Sequence, residues 1–373
     1  MKVPLLDLRL QHERLRGELL DAIARVIDSQ HFVLGEEVQQ FENALASYTG
    51  SKQAIGCASG SDALILALMA LDIRESDEVI TTPFTFFATG AAIARLGGRP
   101  IFVDIDPSTY TIDVNKIEEA ITEKTRAIIP VHLYGQCADL TSLRAIGAKH
   151  NLPIIEDAAQ AIGARDNDRQ AGTAGLIGCF SFYPSKNLGA AGDAGALITN
   201  DSMIAERLRR LRVHGETSEY HHSEIGINSR LDALQAVVLR TKLKYLDQWS
   251  QGRRNNAARY DEYFSKADLN VKIVAPTLRA GALHIYHQYV IRVPGFRDQM
   301  IDHFTKSGIG TRVYYPVPLH LLECFSYLGH RKGDFPEAEA AALETMALPC
   351  FPELTDAQQD YVIDAIERFT PVN

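Results

Sequence analysis

Between about residues 52 and 200 the chain alternates short apolar runs with longer stretches of helical periodicity. Runs at Gln53–Cys57, Glu78–Thr82, Pro100–Asp104, Ala127–His132, Pro153–Glu156, Cys179–Phe182 and Ala196–Thr199 read as strands. The helical patterns between them are Asp62–Leu71, Phe87–Leu96, Val114–Ile121 and Leu140–His150. Strand, helix, strand at this spacing calls for crossover connections, and so for a mostly parallel sheet covered on both faces. The strands agree. Ala127-Ile128-Ile129-Pro130-Val131 is apolar without alternation, as a strand buried on both faces must be. The expected fold class is α/β.

Beyond about Asp201 the rhythm changes. Residues 203–212 and 231–265 form long amphipathic helical patterns, with Leu231, Leu234, Val238 and Leu239 at helical spacing. A strand-like run at His287–Val293, a helix near Asp298–Lys306, the segment Thr311–Tyr315 and a closing helix Asp356–Phe369 follow. This predicts a large α/β domain over residues 1–245 and a smaller C-terminal α+β domain over 246–373. An N-terminal helix, roughly Arg14–Ile27, could pack on either. The 373 residues suit two such units at roughly 150 residues per domain.

Composition removes several function classes. The net charge is −9 and no run of Lys or Arg occurs, so wrapping nucleic acid or an anionic membrane is disfavoured. Cys57, Cys137, Cys179, Cys324 and Cys350 are odd in number, dispersed and without a Cys-x-x-Cys pair. Such cysteines fit reduced thiols better than a disulfide framework or zinc site. Charge enters the N-terminus before an apolar core could reach signal-peptide length. The run Ala63–Leu71 is far shorter than the roughly 20 residues that span a bilayer. These features predict a cytoplasmic protein.

Three segments need more than a packing explanation. Gly56-Cys57-Ala58-Ser59-Gly60-Ser61-Asp62 follows a strand and opens a helix, where unpaired backbone N–H groups can bind phosphate. Taken alone it also fits a tight turn capped by Ser61 or Asp62. Pro153-Ile154-Ile155-Glu156-Asp157 puts an acid at the carboxyl end of a buried strand, where open α/β sheets place ligands. A carboxylate there needs a cationic or donor partner; the plain alternative is an Asp capping the next helix. The third segment, Cys179–Gly189 with Gly192-Asp193-Ala194-Gly195, sets Lys186 between a strand and a glycine-rich turn. A partly buried Lys has a lowered pKa and becomes a nucleophile or Schiff-base former.

Together the segments describe one cofactor. Pyridoxal 5'-phosphate needs a Lys for its aldehyde, a carboxylate for its pyridine nitrogen and a donor-rich cup for its phosphate. The chain also resembles the sugar-nucleotide aminotransferases of the DegT/StrS group, which have the fold type I, aspartate-aminotransferase-like architecture. The resemblance rests on EDAAQAIGA (156–164) and SFYPSKNLGAAGDAGA (181–196). HFVLGEEVQQFE (31–42), DEVITTPFTFFAT (77–89), HLYGQCADL (132–140), GINSRLDALQAVVL (226–239) and YYPVPLH (314–320) extend it over nearly the whole chain.

The resemblance implies roles at matching positions. Lys186 would form the aldimine with the cofactor and shuttle a proton, while Asp157 would keep the pyridine nitrogen protonated. Gln160 would meet the phenolic oxygen and Phe86 stack on the ring. Gly60, Ser61 and Ser181 would hold the phosphate, and Asn228 of the neighbouring subunit would complete that cup in a homodimer with shared active sites. Tyr183, Arg230, Tyr314, Tyr315 and His320 would face substrate; for Arg230 a structural ion pair is an equal alternative. The implied reaction is a ping-pong transamination, with L-glutamate donating the amine to a keto group on a nucleotide-linked sugar.

Tyr183 resembles members acting at the sugar's C3 position, where C4 members often carry His. The loop 214–230 is similar to that of aminotransferases for UDP-linked 3-keto-N-acetylglucosaminuronic acid. Glu219 and Tyr314 depart from that pattern by replacing a basic residue and a His, which leaves a dTDP-linked 3-keto-6-deoxyhexose equally open. A 4-keto substrate is the alternative. His214, His221 and His222 have no carboxylate or thiol to complete a ligand set, so no metal is expected. A sugar dehydratase of this fold would carry His in place of Lys186. A non-catalytic regulatory relative should lose Lys186 or Asp157, and a nicotinamide dehydrogenase would show Gly-x-Gly-x-x-Gly after the first strand.

Overall fold

Seven strands order themselves β3-β2-β4-β5-β6-β7-β1 in the computed structural model, which describes residues 1–372. They are β1 (Gln53–Cys57), β2 (Glu78–Thr81), β3 (Arg99–Phe102), β4 (Thr125–Ile128), β5 (Ile155–Asp157), β6 (Ile177–Ser181) and β7 (Gly195–Thr199). Strand β2 pairs in parallel with β3 and β4, and β5 with β6. Parallel bridges Ile128–Ile154 and Val131–Asp157 join the two parts of the sheet. Only β7 runs against its neighbours, β1 and β6.

Both sheet faces are buried, which accounts for the uninterrupted apolar strands. Ala54, Ile80, Ile128 and Phe180 enter one core with Phe41 and Leu45 of α2 (Glu36–Thr49), Leu143 of α5 (Leu140–His150) and Leu239 of α7 (Ala233–Leu243). Their chain neighbours Ile55, Val79, Ala127 and Cys179 enter the opposite core. That core is closed by Leu64 and Leu68 of α3 (Gly60–Ala70), Ile93 of α4 (Phe87–Arg95) and Leu208 of α6 (Ser202–Leu211). Helix α1 (Arg9–Ser29) packs Ala22 and Val26 on Ala233 and Val237 of α7. Among the described residues no helix is long and apolar enough to cross a membrane.

The C-terminal part gathers on another cluster. Strands β8 (Tyr289–Arg292) and β9 (Thr345–Leu348) pair antiparallel beneath α8 (Leu246–Lys266), α9 (Arg297–Lys306) and α11 (Asp356–Glu367), with α10 (Pro336–Glu344) leading into β9. Val3 joins this cluster from the other end of the chain.

Several sequence expectations need correction. Val114–Ile121 forms two single 3-10 turns, Val114–Lys116 and Glu118–Ala120, in place of one helix. The stretch 231–265 is two helices, because the turn at Lys244 and Tyr245 tightens, with the Tyr245 N–H on the Lys242 carbonyl. The segment Thr311–Tyr315, left without an assigned element, contributes one isolated bridge, Arg312 to Ala347. Helices α2 and α10 and strand β9 lie where no regular element is expected from periodicity.

Candidate active site

The carboxyl ends of β1, β2, β5 and β6 lie at one edge of the sheet, and the segments leaving them carry the chemistry-bearing residues. Ser59 caps α3 by accepting the Asp62 N–H at 3.1 Å, and its carbonyl accepts the Ala63 N–H. The Gly60 and Ser61 N–H groups stay free of protein acceptors among the described residues, as expected at a helix N-terminus. Gly60 is required here: a Cβ would lie 2.5 Å from the Ser181 Cβ. Ser181, at the end of β6, presents its hydroxyl to this cup. It is donor-rich, small-walled and open, which suits a phosphate.

Asp157 is 5% exposed at the end of β5. Its Oδ2 accepts the Thr89 hydroxyl at 2.7 Å, and Oδ1 accepts the Ala159 N–H at 3.2 Å. Burial pushes the carboxyl upward, while these donors and the charge of Lys186 pull it down. Lys186 lies in the turn between β6 and β7, with its backbone N–H on the Tyr183 carbonyl. Burial lowers its ammonium to about 8 against the opposing pull of Asp157. Among the described residues Lys186 Nζ has no hydrogen-bond or ion-pair partner, so its amine is available to an electrophile.

Gln160 bridges two segments. Its Oε1 accepts the Tyr134 N–H at 2.9 Å and its Nε2 donates to the Tyr315 hydroxyl at 2.9 Å, leaving one amide hydrogen free. Phe86, 55% exposed, starts α4 and stands 6.0 Å from the Tyr315 ring centre. Phe86, Ser61 and Asn228 line one groove of about 500 Å³ with Phe87 and Arg95. The Asn228 segment is drawn there by Ser229, whose hydroxyl donates to Asp62 at 2.7 Å and accepts the Ala58 N–H.

The remaining positions divide. Tyr183 is 56% exposed beside Lys186. Tyr314 is half-buried, and its carbonyl accepts the Tyr134 hydroxyl. Arg230 is half-buried and has no ion pair in this chain among the described residues. His320 is a correction: at 2% exposure it is enclosed by Phe335 and bonded through Nε2 to Glu339 at 3.0 Å. It presents no surface to the groove, because packing in the C-terminal aromatic cluster claims the ring.

Sequence reasoning missed Thr89, Thr85, Tyr134 and His287. The last is buried with Nδ1 on the Asn187 amide oxygen at 3.1 Å, next to Lys186 in sequence. Threonines and a tyrosine within apolar segments carry no sequence signal of their own. Among the described residues no group of three or more His, Cys, Asp or Glu is placed to hold a metal ion.

An unpartnered Lys beside a buried carboxylate and a donor cup can hold an aldehyde cofactor that carries a phosphate. The profile of the DegT/DnrJ/EryC1/StrS aminotransferase family matches residues 13–367. The chain belongs to this family. A "Pleiotropic regulatory protein" of Geobacillus stearothermophilus is 49% identical, over 99% of each chain. The UDP-N-acetyl-3-dehydro-alpha-D-glucosamine 3-aminotransferase of Acidithiobacillus ferrooxidans is 43% identical, over 98% of this chain and 97% of its own. The solved structure of S. venezuelae DesV superposes with a TM-score of 0.95, at 42% identity and 98% coverage of both chains. DegT/DnrJ/EryC1/StrS aminotransferases depend on pyridoxal phosphate, and solved relatives carry it or its amine form. The cup, the carboxylate and the free amine fit that group.

Proposed function

We propose that this protein transfers an amino group from L-glutamate to a 3-keto sugar linked to UDP or dTDP. The observation that carries this reading is Lys186, half-buried near Asp157 and without a hydrogen-bond or ion-pair partner among the described residues. Relatives named for 3-dehydro or 3-oxo UDP-sugars and for 3-amino dTDP-sugars support the C3 position.

Bound pyridoxal phosphate supplies an aldehyde that carries nitrogen and a ring that accepts electrons. Lys186 would hold the aldehyde end and, as a free amine, move a proton at the donor's α-carbon. Asp157 Oδ would keep a proton on the ring nitrogen. Phe86 would orient the ring face and Gln160 its phenolic oxygen. Gly60, Ser61 and Ser181 would fix the phosphate, with the partner subunit's Asn228 closing the cup. Tyr183, Arg230, Tyr314 and Tyr315 would meet the sugar nucleotide. The homodimer with shared active sites is part of this reading, with the groove bearing Phe86, Phe87 and Asn228 as the place where a partner would sit. The division at residues 245 and 246 and a cytoplasmic location belong to the same reading.

The purified protein should be yellow, lose that colour with L-glutamate and regain it with 2-oxoglutarate. A preparation colourless even after added pyridoxal phosphate would end this proposal. Assays on UDP- and dTDP-linked 3-keto and 4-keto sugars decide the substrate, and turnover confined to 4-keto compounds overturns the C3 assignment. A regulatory role draws support from the name of the 49% identical relative. Retention of both Lys186 and Asp157 weighs against a purely regulatory one.

A further inference from the structure

Asp157 faces a conflict that its own strand does not resolve. A carboxylate buried at a strand end favours its neutral form, and a neutral acid cannot hold a positive ring nitrogen. The nearby cation, Lys186, is no steady help, because the reaction requires its amine to lose charge. Fixed donors must therefore do the holding. Two reach Asp157: the Ala159 N–H at 3.2 Å and the Thr89 hydroxyl at 2.7 Å, the shorter and the fully buried one.

The direction of the Thr89 bond is set by chemistry. An ionised carboxylate only accepts, so the Thr89 hydrogen is committed to Asp157 Oδ2. The Thr89 oxygen lies 3.1 Å from the Thr85 hydroxyl, which must then donate to it. The result is a short chain, Thr85 to Thr89 to Asp157, with one polarity throughout. Aligned hydroxyls of this kind strengthen the last bond in a buried setting.

Placement on α4 gives the chain its rigidity. Phe86 is the N-cap residue of α4, and the Thr89 N–H bonds its carbonyl at 3.2 Å. Thr85, just ahead of the N-cap, and Thr89, in the first turn of α4, are both buried, while Phe86 between them faces the groove. One turn of backbone thus aims an aromatic face and a hydroxyl at the same site. Among the effects that favour the charged carboxylate, the Thr89 bond is the largest.

We propose that Thr89 is a positioning residue for Asp157, its hydroxyl oriented by Thr85 so that the carboxylate meets the cofactor's ring nitrogen in one fixed geometry. The inference rests on the reading of Asp157 given under Proposed function. Thr89→Val keeps the shape and removes the hydroxyl, leaving Asp157 Oδ2 and Thr85 without a partner; Thr89→Ser keeps the hydroxyl.

The test compares pyridoxal phosphate affinity and the pH titration of the visible band in the parent protein and in Thr89→Val, Thr89→Ser and Thr85→Val. Thr89→Val should bind the cofactor about tenfold more weakly, as for loss of one hydrogen bond to a charged group, and shift the titration of the band. Thr89→Ser should restore both to within about threefold. A merely structural role would lower thermal stability and leave the titration unmoved. A folded Thr89→Val with parental affinity and titration overturns the inference. Should Thr89→Val not fold, Thr85→Val decides: a weaker shift in the same direction supports the chain, and parental behaviour refutes it. A parent protein that takes up no cofactor would instead refute the reading of the site itself.

Discussion

The imidazole Nε2 of His132 and the carboxylate of Glu156 lie 2.7 Å apart, both side chains with no solvent exposure. His132 Nδ1 accepts the Ala138 N–H, so Nε2 carries the proton and donates to Glu156. The Glu156 carboxylate also accepts the N–H groups of Gly172, Ala174 and Gly175. The acid preceding Asp157 is thus wholly engaged in pinning the end of β5 to the turn before β6. Glu156→Gln would turn an amide donor toward other donors. We expect a loss of about 2 kcal/mol in denaturant unfolding, within the range for leaving buried hydrogen-bonding groups unpaired. A loss below about 1 kcal/mol would show that the clamp is dispensable.

Lys186→Ala should abolish the visible band of bound cofactor and lower turnover by at least about a thousandfold. Added pyridoxal phosphate should not restore the band. Turnover within tenfold of the parent would remove Lys186 from its assigned role.

With its ammonium lowered to about 8, Lys186 is about a tenth neutral at pH 7 and half neutral at pH 8. Uptake of pyridoxal phosphate by cofactor-free protein should therefore speed up about fivefold between those values and level off above pH 9. Stopped-flow absorbance measures this directly. A rate still climbing steeply past pH 10 would indicate an ordinary lysine.

Lys242 is buried in α7 with Nζ on the Gly189 carbonyl, and burial lowers it to about 8. Below that value both folded and unfolded chains hold the proton, and the folded state bears the full cost of a buried charge. Between about 8 and the ordinary 10.5 the unfolded chain binds more protons, so stability rises with pH. The gain amounts to roughly 3 kcal/mol for this group. Lys242→Met should flatten that rise in unfolding experiments from pH 8 to 10.5. An unaltered slope would place the titration elsewhere.

Ile225→Asp, at a residue 92% accessible in this chain, should weaken self-association, read by sedimentation, with a parallel loss of cofactor affinity if the partner subunit's Asn228 completes the cup. A monomeric variant with parental cofactor affinity would show that each chain holds its phosphate alone.

How much of this was legible in the sequence depended on how unusual each residue was in its place. Lys186 and Asp157 stand out because charges at the ends of apolar strands have few packing explanations. Thr89 does not, since a threonine in an apolar helical segment is compatible with packing alone, and only its 2.7 Å contact with Asp157 distinguishes it. His320 misled for the opposite reason: it follows a matching motif, yet Glu339 and Phe335, distant in sequence, enclose it. The sheet was readable because its inner strands bury both faces, β6 and β7 along nearly their whole length. Helix α2 was less so, as its apolar positions Val38, Phe41 and Leu45 are separated by acidic and amide residues. Val114–Ile121 carries a helical pattern too short to propagate, and it stops at single turns.

The reversed direction of β7 has a consequence for how this site could be altered. Ser181 and Gly195 are opposite rungs of the β6–β7 ladder, so the segment carrying Lys186 leaves and re-enters the sheet at one point. Every parallel neighbour must instead cross the whole domain between strands. Residues 182–194 therefore hang from one rung of the ladder, with Phe182 and Leu188 among them buried, so a slip in the β6–β7 register would carry Lys186 as a unit relative to Asp157 on β5.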